Sequence, residues 1–210
     1  MYYSADSNAA TQLTRATAIL TGENVRDIKR KLLADEFGEY IAHLGKRWWV
    51  RFSYDARPTP ADMERDLQAY FEVFGTFPHL IVVDNITNVD GGAAADAEGF
   101  TFGLEAMCEY LSEMARYTMA HVLALHHVIG EYSDGLQPIP LSGVKGKIGR
   151  VPSVILTIHK EIDGMDGRIL HVSSVKNREG FEDSSGQTFS SYVFNNTNMQ
   201  LTDVDELAVI

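Results

Sequence analysis

Cysteine occurs once in the 210 residues, at Cys108, so neither an intrachain disulfide framework nor a cysteine-rich zinc module can be built. Its setting, with Phe100, Leu104, Met107, Leu111 and Met114 recurring at spacings of three and four, predicts a small buried thiol on a helix. Long apolar runs are missing too. None approaches the roughly 20 residues that cross a bilayer, and Met1-Tyr2-Tyr3-Ser4-Ala5-Asp6 has neither the basic nor the apolar segment of a secretory leader, so a cytoplasmic location with no membrane partner is expected. Positive charge is scarce, with 18 Lys plus Arg against 29 Asp plus Glu and a net charge of −11. Averaged over the surface, that excess repels nucleic acid and anionic membranes. Repeats and low-complexity linkers are absent, and Gly91-Gly92-Ala93-Ala94-Ala95 is too short to separate domains. A single domain over residues 1–210 is therefore expected, with an acidic tail at 181–210 that holds five carboxylates and no Lys or Arg.

What is present is an alternation of helix with strand, in a chain whose 45% hydrophobic content can bury a sizeable core. Helices are predicted from about 8 to 21, ending at Gly22, and in charged segments between Asn24 and Leu44. The aromatic and β-branched run 48–54 reads as a strand, with Trp48 and Trp49 in core or interface packing. Thr59-Pro60-Ala61-Asp62 supplies a hydroxyl cap, a first-turn proline and an acid at the positive helix end, predicting a helix to about 74 and a stop at Gly75. Leu80-Ile81-Val82-Val83 and His121-Val122-Leu123-Ala124-Leu125 are continuous apolar runs of the kind that form strands covered on both faces of a parallel sheet. A long helix to about 118 lies between them. Strands at 154–159 and 169–175, joined by a tight turn at 163–167, close the pattern as an antiparallel hairpin. The fold class is α/β, with functional groups gathered at the carboxyl ends of the strands.

The apolar strand 80–83 ends in Asp84, a carboxylate held at a buried strand terminus, where it can serve Mg²⁺ or simply cap a turn. The segment Pro78-His79-Leu80-Ile81-Val82-Val83-Asp84-Asn85 resembles the Walker B strand of RecA-type ATPases, in particular the DnaB-like replicative helicases of bacteria and their phages. In the same order, Tyr3-Ser4-Ala5-Asp6 resembles the strand ending in the family's catalytic acid, and Leu123-Ala124-Leu125-His126-His127 its sensor strand. Val175-Lys176-Asn177-Arg178-Glu179-Gly180 resembles its hairpin strand with a trans-acting Lys and arginine finger.

The resemblance implies a RecA-like, mostly parallel sheet flanked by helices, with nucleotide hydrolysis coupled to single-stranded or forked DNA in replication or repair. It implies that Asp84 handles Mg²⁺, that Asp6 polarises the attacking water and that His127 stands where the family has a glutamine. It also implies that Lys176 and Arg178 reach the phosphates of a neighbouring subunit in a hexameric ring. Asp6 is one methylene shorter than the family's glutamate, and a histidine at 127 can titrate where a glutamine cannot.

Such ATPases need a phosphate-cradling loop, G-x-x-x-x-G-K-[ST], ahead of the strand at 2–5. The 210 residues hold no such loop, because Gly146-Lys147-Ile148 lacks both the hydroxyl and the first glycine. Two expectations follow: ATP is bound through a loop supplied upstream of Met1 in a longer product, or the nucleotide site is degenerate. The window Gly135–Lys160 has Lys145, Lys147, Arg150 and Lys160 and no acid, so it carries +4 while the remainder carries −15. Its glycines and lysines suit a phosphodiester backbone, and in the resembling family the matching loop faces the channel of the ring. A second chemistry uses no such loop: Asp84, Asp90, Asp96 and His126, with His127, form a carboxylate and imidazole set able to hold one or two Mg²⁺ or Mn²⁺ ions for DNA cleavage. A non-catalytic DNA-binding scaffold is the third reading. His43, His79, His121, His159 and His171 have no metal-ligand spacing and are expected to be structural.

Overall fold

Thr59 accepts a hydrogen bond from the Asp62 backbone N–H while the Asp62 carboxylate accepts from the Thr59 N–H, closing a capping box at the start of a helix. That helix, α4 (Pro60–Phe74), stops where Gly75 turns left-handed at φ 71 and donates to the Phe71 carbonyl. The computed structural model that shows this describes residues 1–89, 100–163 and 167–204, with the backbone alone at 100–102, 147, 163, 167 and 168. The remaining elements are β1 (Tyr2–Ser4), α1 (Ala9–Thr21), α2 (Val25–Leu33), α3 (Gly38–Gly45), β2 (Phe52–Ser53), β3 (Leu80–Asp84), α5 (Phe100–Thr118), β4 (His121–Ala124), β5 (Val154–Asp163), β6 (Gly167–Asn177), β7 (Phe189–Asn195) and β8 (Gln200–Asp203). They divide between two compact units, residues 1–8, 50–129 and 144–153 in the first and 9–49, 130–143 and 154–210 in the second.

The first unit is built on a parallel sheet in the order β2-β1-β3-β4. Tyr2 pairs with Val82 and Phe52, and Ser4 with Asp84, so β1 and β3 end side by side. One sheet face (Tyr3, Ile81, Val83) is buried, as are Met63 and Leu67 of α4 and Leu104, Met107, Cys108, Leu111 and Met114 of α5. The Tyr3 hydroxyl donates to the Met63 carbonyl and that of Tyr110 to the Pro60 carbonyl, tying sheet to helix and helix to helix. Burial pushes the Cys108 thiol up to about 11, with Glu105 and Glu109 adding to the shift, so it stays an inert thiol as expected.

Two sequence readings need correction. The expected strand 48–54 shrinks to Phe52–Ser53, because residues 46–49 form a turn after α3, where Trp48 and Trp49 are 62% and 49% exposed rather than in a core. The run 121–125 is a strand, yet not a covered one: β4 is a sheet edge, and Leu123 and Leu125 are 46% and 40% exposed.

The second unit holds an antiparallel sheet in the order β5-β6-β7-β8. The expected hairpin is its first pair, with Val154 opposite Asn177 and Asp163 opposite Gly167; the turn predicted between them falls on 164–166, outside the described residues. The pair extends beyond the expected strand ends, and two further strands occupy what had been read only as an acidic tail. Helices α1 to α3 enclose Ala18, Ile28 and Tyr40. The turn between β7 and β8 and the start of β8 are bonded to them through Val25 N–H to the Thr197 carbonyl and Gln200 Nε2 to the Ile19 carbonyl.

Two of the histidines taken as structural face each other across β5 and β6. The His159 and His171 rings lie 4.7 Å apart, both buried, against Phe189. Their neighbours are the Ser191 hydroxyl on His171 Nδ1 at 2.8 Å and the Glu161 carboxylate on His171 Nε2 at 3.4 Å. No described helix is long and apolar enough to cross a membrane.

Candidate functional site

The parallel strands deliver polar groups to their carboxyl ends, where the sheet hands over to loops. Asp6 lies two residues beyond β1, Asp84 and Asn85 end β3, and His126 and His127 follow β4. The Ala5 N–H donates to the Asp84 carbonyl and the Leu125 N–H to the Val83 carbonyl, so the three exits are held in register. The Asp84–Asn85 peptide is cis.

Asn85, 3% exposed, sits between the exposed Asp6 and His127. Its Nδ2 donates to Asp6 Oδ2 at 2.5 Å and faces His127 Nε2 at 3.3 Å, while its Oδ1 accepts from the Thr87 N–H at 2.9 Å and from the Thr87 hydroxyl. Asn88 Nδ2 donates to the other Asp6 oxygen at 2.5 Å. Asp84 is half-buried beside this network, and its Oδ2 accepts from the Tyr2 hydroxyl at 2.9 Å. The structure thus brings Asp6, Asp84 and His127 to one sheet edge, as sequence order and strand endings implied. Asn85, Asn88, Thr87 and Tyr2 were missed as site residues; the signal available was a third polar side chain directly after the strand's terminal aspartate.

His126 points elsewhere. Its Nε2 lies 2.7 Å from the Lys145 carbonyl, and its Nδ1 is buried without a hydrogen-bond partner. Burial, the largest influence, pushes this imidazole below the ordinary histidine value, against the opposing effect of the carbonyl. The Lys145 N–H in turn donates to the His127 carbonyl, and Val144 bridges Val128, so the start of the basic loop is fastened to the β4 exit.

The rest of that loop is a 3₁₀ turn over Lys145–Arg150 lying on α5. Gly146, at φ +81, is needed there for packing: a Cβ would stand 2.7 Å from a Leu104 methyl. Arg150, one of the expected DNA contacts, places its guanidinium 2.7 Å from Glu105 and 3.5 Å from Glu109 of α5 while remaining 75% exposed. Lys145 is half-buried. The side chain of Lys147 lies outside the described residues.

Lys176 and Arg178 belong to the second unit. Lys176, opposite Ile155, is pushed below the ordinary lysine value by desolvation and then by the Arg178 charge. Asn177 between them donates its N–H to Glu182 at 2.7 Å, and Gly180 passes so close to the Asn177 amide that a Cβ would stand 2.6 Å from Nδ2.

For a hydrated divalent cation the donor set fits, since Asp84 and Asp6 offer hard oxygens at adjacent strand ends. For a triphosphate the described residues offer no glycine cradle, the turn at Gly146 being filled by Leu104. For the two-metal alternative, no group of three His, Cys, Asp or Glu among the described residues could hold an ion, and Asp90 and Asp96 lie outside the described residues.

No family model matches the chain. In sequence it is 45% identical over 203 residues to the Gene 65 protein of Mycobacterium phage L5, covering 97% of this chain and 75% of that protein. It is 44% identical over 205 residues to the Gene 65 protein of Mycobacterium phage D29, covering 98% and 88%. Among solved structures it is similar to an ATPase domain, with a TM-score of 0.77 and 15% identity over 97% of this chain and 73% of that one. A DnaB-like replicative helicase, solved with attention to its interactions with primase, gives a TM-score of 0.77 at 14% identity, and this chain spans 50% of its length. At those identities the likeness is one of fold, and the RecA-type core of DnaB-like helicases is the fold of this chain.

Proposed function

The chain belongs to the family of the Gene 65 proteins of mycobacteriophages L5 and D29, and from that premise we propose that it is the core of a DNA-dependent nucleoside triphosphatase, helicase-like, acting in phage replication or repair. The observation that carries this reading is the convergence of Asp6, Asp84 and His127 at the carboxyl ends of three neighbouring parallel strands, with Asn85 joining two of them. Ligands of open α/β sheets bind at that end, and the fold shared with helicase ATPase domains supports the same place.

In this reading the two units form one RecA-like domain. Asp84 would hold a hydrated Mg²⁺, which would neutralise charge at the phosphates. Asp6 accepts from an attacking water, and His127 meets a phosphoryl oxygen. Lys176 and Arg178 act on a neighbouring copy, which makes the working form a ring, and Lys145 with Lys147 tracks the DNA backbone. A phosphate cradle of the G-x-x-x-x-G-K-[ST] kind is not among the 210 residues.

The paired test measures ATP turnover with and without single-stranded DNA and cleavage of labelled forked and linear DNA with Mg²⁺ or Mn²⁺ against EDTA. It is run on this chain and on a product that includes any in-frame coding sequence preceding Met1. DNA-stimulated turnover without cleavage supports the proposal; cleavage that Asp84→Ala abolishes, without turnover, replaces it with the metal nuclease; neither leaves a scaffold.

A further inference from the structure

Which nitrogen of His127 carries a proton decides what that ring can do, and its neighbours settle the matter through a chain of hydrogen bonds. The starting point is the Thr87 backbone N–H, which can only donate. It lies 2.9 Å from one end of the Asn85 carboxamide, so that end is the oxygen. The other end is the NH₂, which is a donor only. One of its protons goes to the Asp6 carboxylate at 2.5 Å, and the other points at His127 Nε2, 3.3 Å away. An imidazole nitrogen can receive that proton only with its lone pair, so the ring's own hydrogen sits on Nδ1. Asn85 is buried and uses both amide protons and its oxygen in these contacts.

His126 next door is set the opposite way. Its Nε2 faces a carbonyl, the Lys145 oxygen at 2.7 Å, and must donate.

We propose that Asn85 is a positioning residue that fixes His127 as the neutral Nδ1–H tautomer, so that it offers a ligand at this sheet edge one N–H donor and no Nε2 lone pair. His127 then recognises a hydrogen-bond acceptor, which on the reading above is a phosphoryl oxygen. It is not the general base for a water, nor an Nε2 ligand to a metal. Neighbouring histidines of opposite tautomer follow from one amide and one carbonyl.

The experiment is long-range ¹H–¹⁵N correlation NMR of the ¹⁵N-histidine-labelled chain at about pH 8, above the usual histidine range, with His126→Gln and His127→Gln for assignment. The expected result is Nδ1–H for His127 and Nε2–H for His126. Asn85→Ala moves His127 toward the Nε2–H form that free imidazoles of histidine prefer, and Asn85→Asp, with an acceptor where the donor stood, moves it there fully. An unchanged His126 signal shows that the variants are folded. Nε2–H at His127 in the wild-type chain, or a His127 tautomer indifferent to Asn85→Ala, overturns the proposal. The wild-type spectrum needs no variant to fold. Nor does it need turnover: absence of ATP hydrolysis would overturn the functional reading and leave the tautomer result standing.

Discussion

At the scale of single residues, the site depends on groups that do no chemistry themselves. Gly146 illustrates this, because its left-handed φ strains any other residue and a Cβ would press on the Leu104 methyl at 2.7 Å. Gly146→Ala should therefore cost about 2 kcal/mol in urea unfolding, from overpacking and backbone strain together. Composition alone suggested a glycine kept for close approach of a phosphate, whereas the structure uses the missing Cβ for α5. Asn85 escaped the sequence reading for a related reason. Its partners Asp6 and His127 are 79 and 42 residues away, and only the pairing of β1, β3 and β4 makes them neighbours. Asp84 was legible because it directly follows an apolar run, a local pattern that needs no knowledge of the partner, whereas Asp6 and His127 were implied by the resemblance to DnaB-like helicases.

At the scale of elements, the start and stop of α4 and the β5–β6 hairpin were read correctly, and strands β7 and β8 were not. The capping box and the stop of α4 were visible as Thr59, Pro60, Asp62 and Gly75. Thr59→Ala should destabilise by about 1 kcal/mol, read as a lowered melting temperature, since the side chain closes two of the bonds at the helix start. Strands β7 and β8 went unread because Ser190-Ser191 breaks the apolar pattern of β7 and β8 is only four residues long, and they are specified by the pairing of β7 with β6 and β8 and by the bonds of Thr197 and Gln200 to the helices.

The β5–β6 pair carries a pH dependence. Burial, followed by the facing His171, pushes His159 below the ordinary histidine value, with Glu161 opposing, and His126 is shifted the same way in the first unit. The unfolded chain takes up protons that the folded chain resists, so this stability is complete above about pH 6.5 and lost as pH falls below it toward the depressed folded values. The carboxylates of Asp62 and Asp183, lowered to about 2 by their hydrogen bonds, act in the same direction only at more acid pH. Urea midpoints should fall between about pH 7 and about pH 5, and His159→Phe should flatten the slope. An unchanged slope would show that the ring's burial is not what titrates.

At the scale of the whole molecule, the net charge of −11 argued against a polyanion partner, but charge is unevenly spread. The basic window is partly spoken for, since Arg150 answers Glu105 and Glu109. Lys145, Lys147 and Arg150 remain the proposed phosphate contacts. Lys145→Ala with Lys147→Ala should weaken single-stranded DNA binding almost equally for all sequences and flatten the salt dependence by about one unit per lost contact. An unchanged slope removes the loop from the interface. The division into α/β layers was legible in the sequence because it is written in apolar runs and helical spacing. The exposure of β4 was not, because an apolar run specifies a strand that could be covered, and its place in the order β2-β1-β3-β4 specifies whether it is.

The central claim, a nucleotide-hydrolysing site at the carboxyl ends of β1, β3 and β4, is tested most directly by ATP turnover with and without single-stranded DNA in a product carrying any in-frame sequence ahead of Met1. The account predicts turnover that rises with DNA and is lost in Asp84→Ala while the variant keeps its fold by circular dichroism. Turnover that survives Asp84→Ala, or none in the wild-type product under any DNA condition, would contradict it.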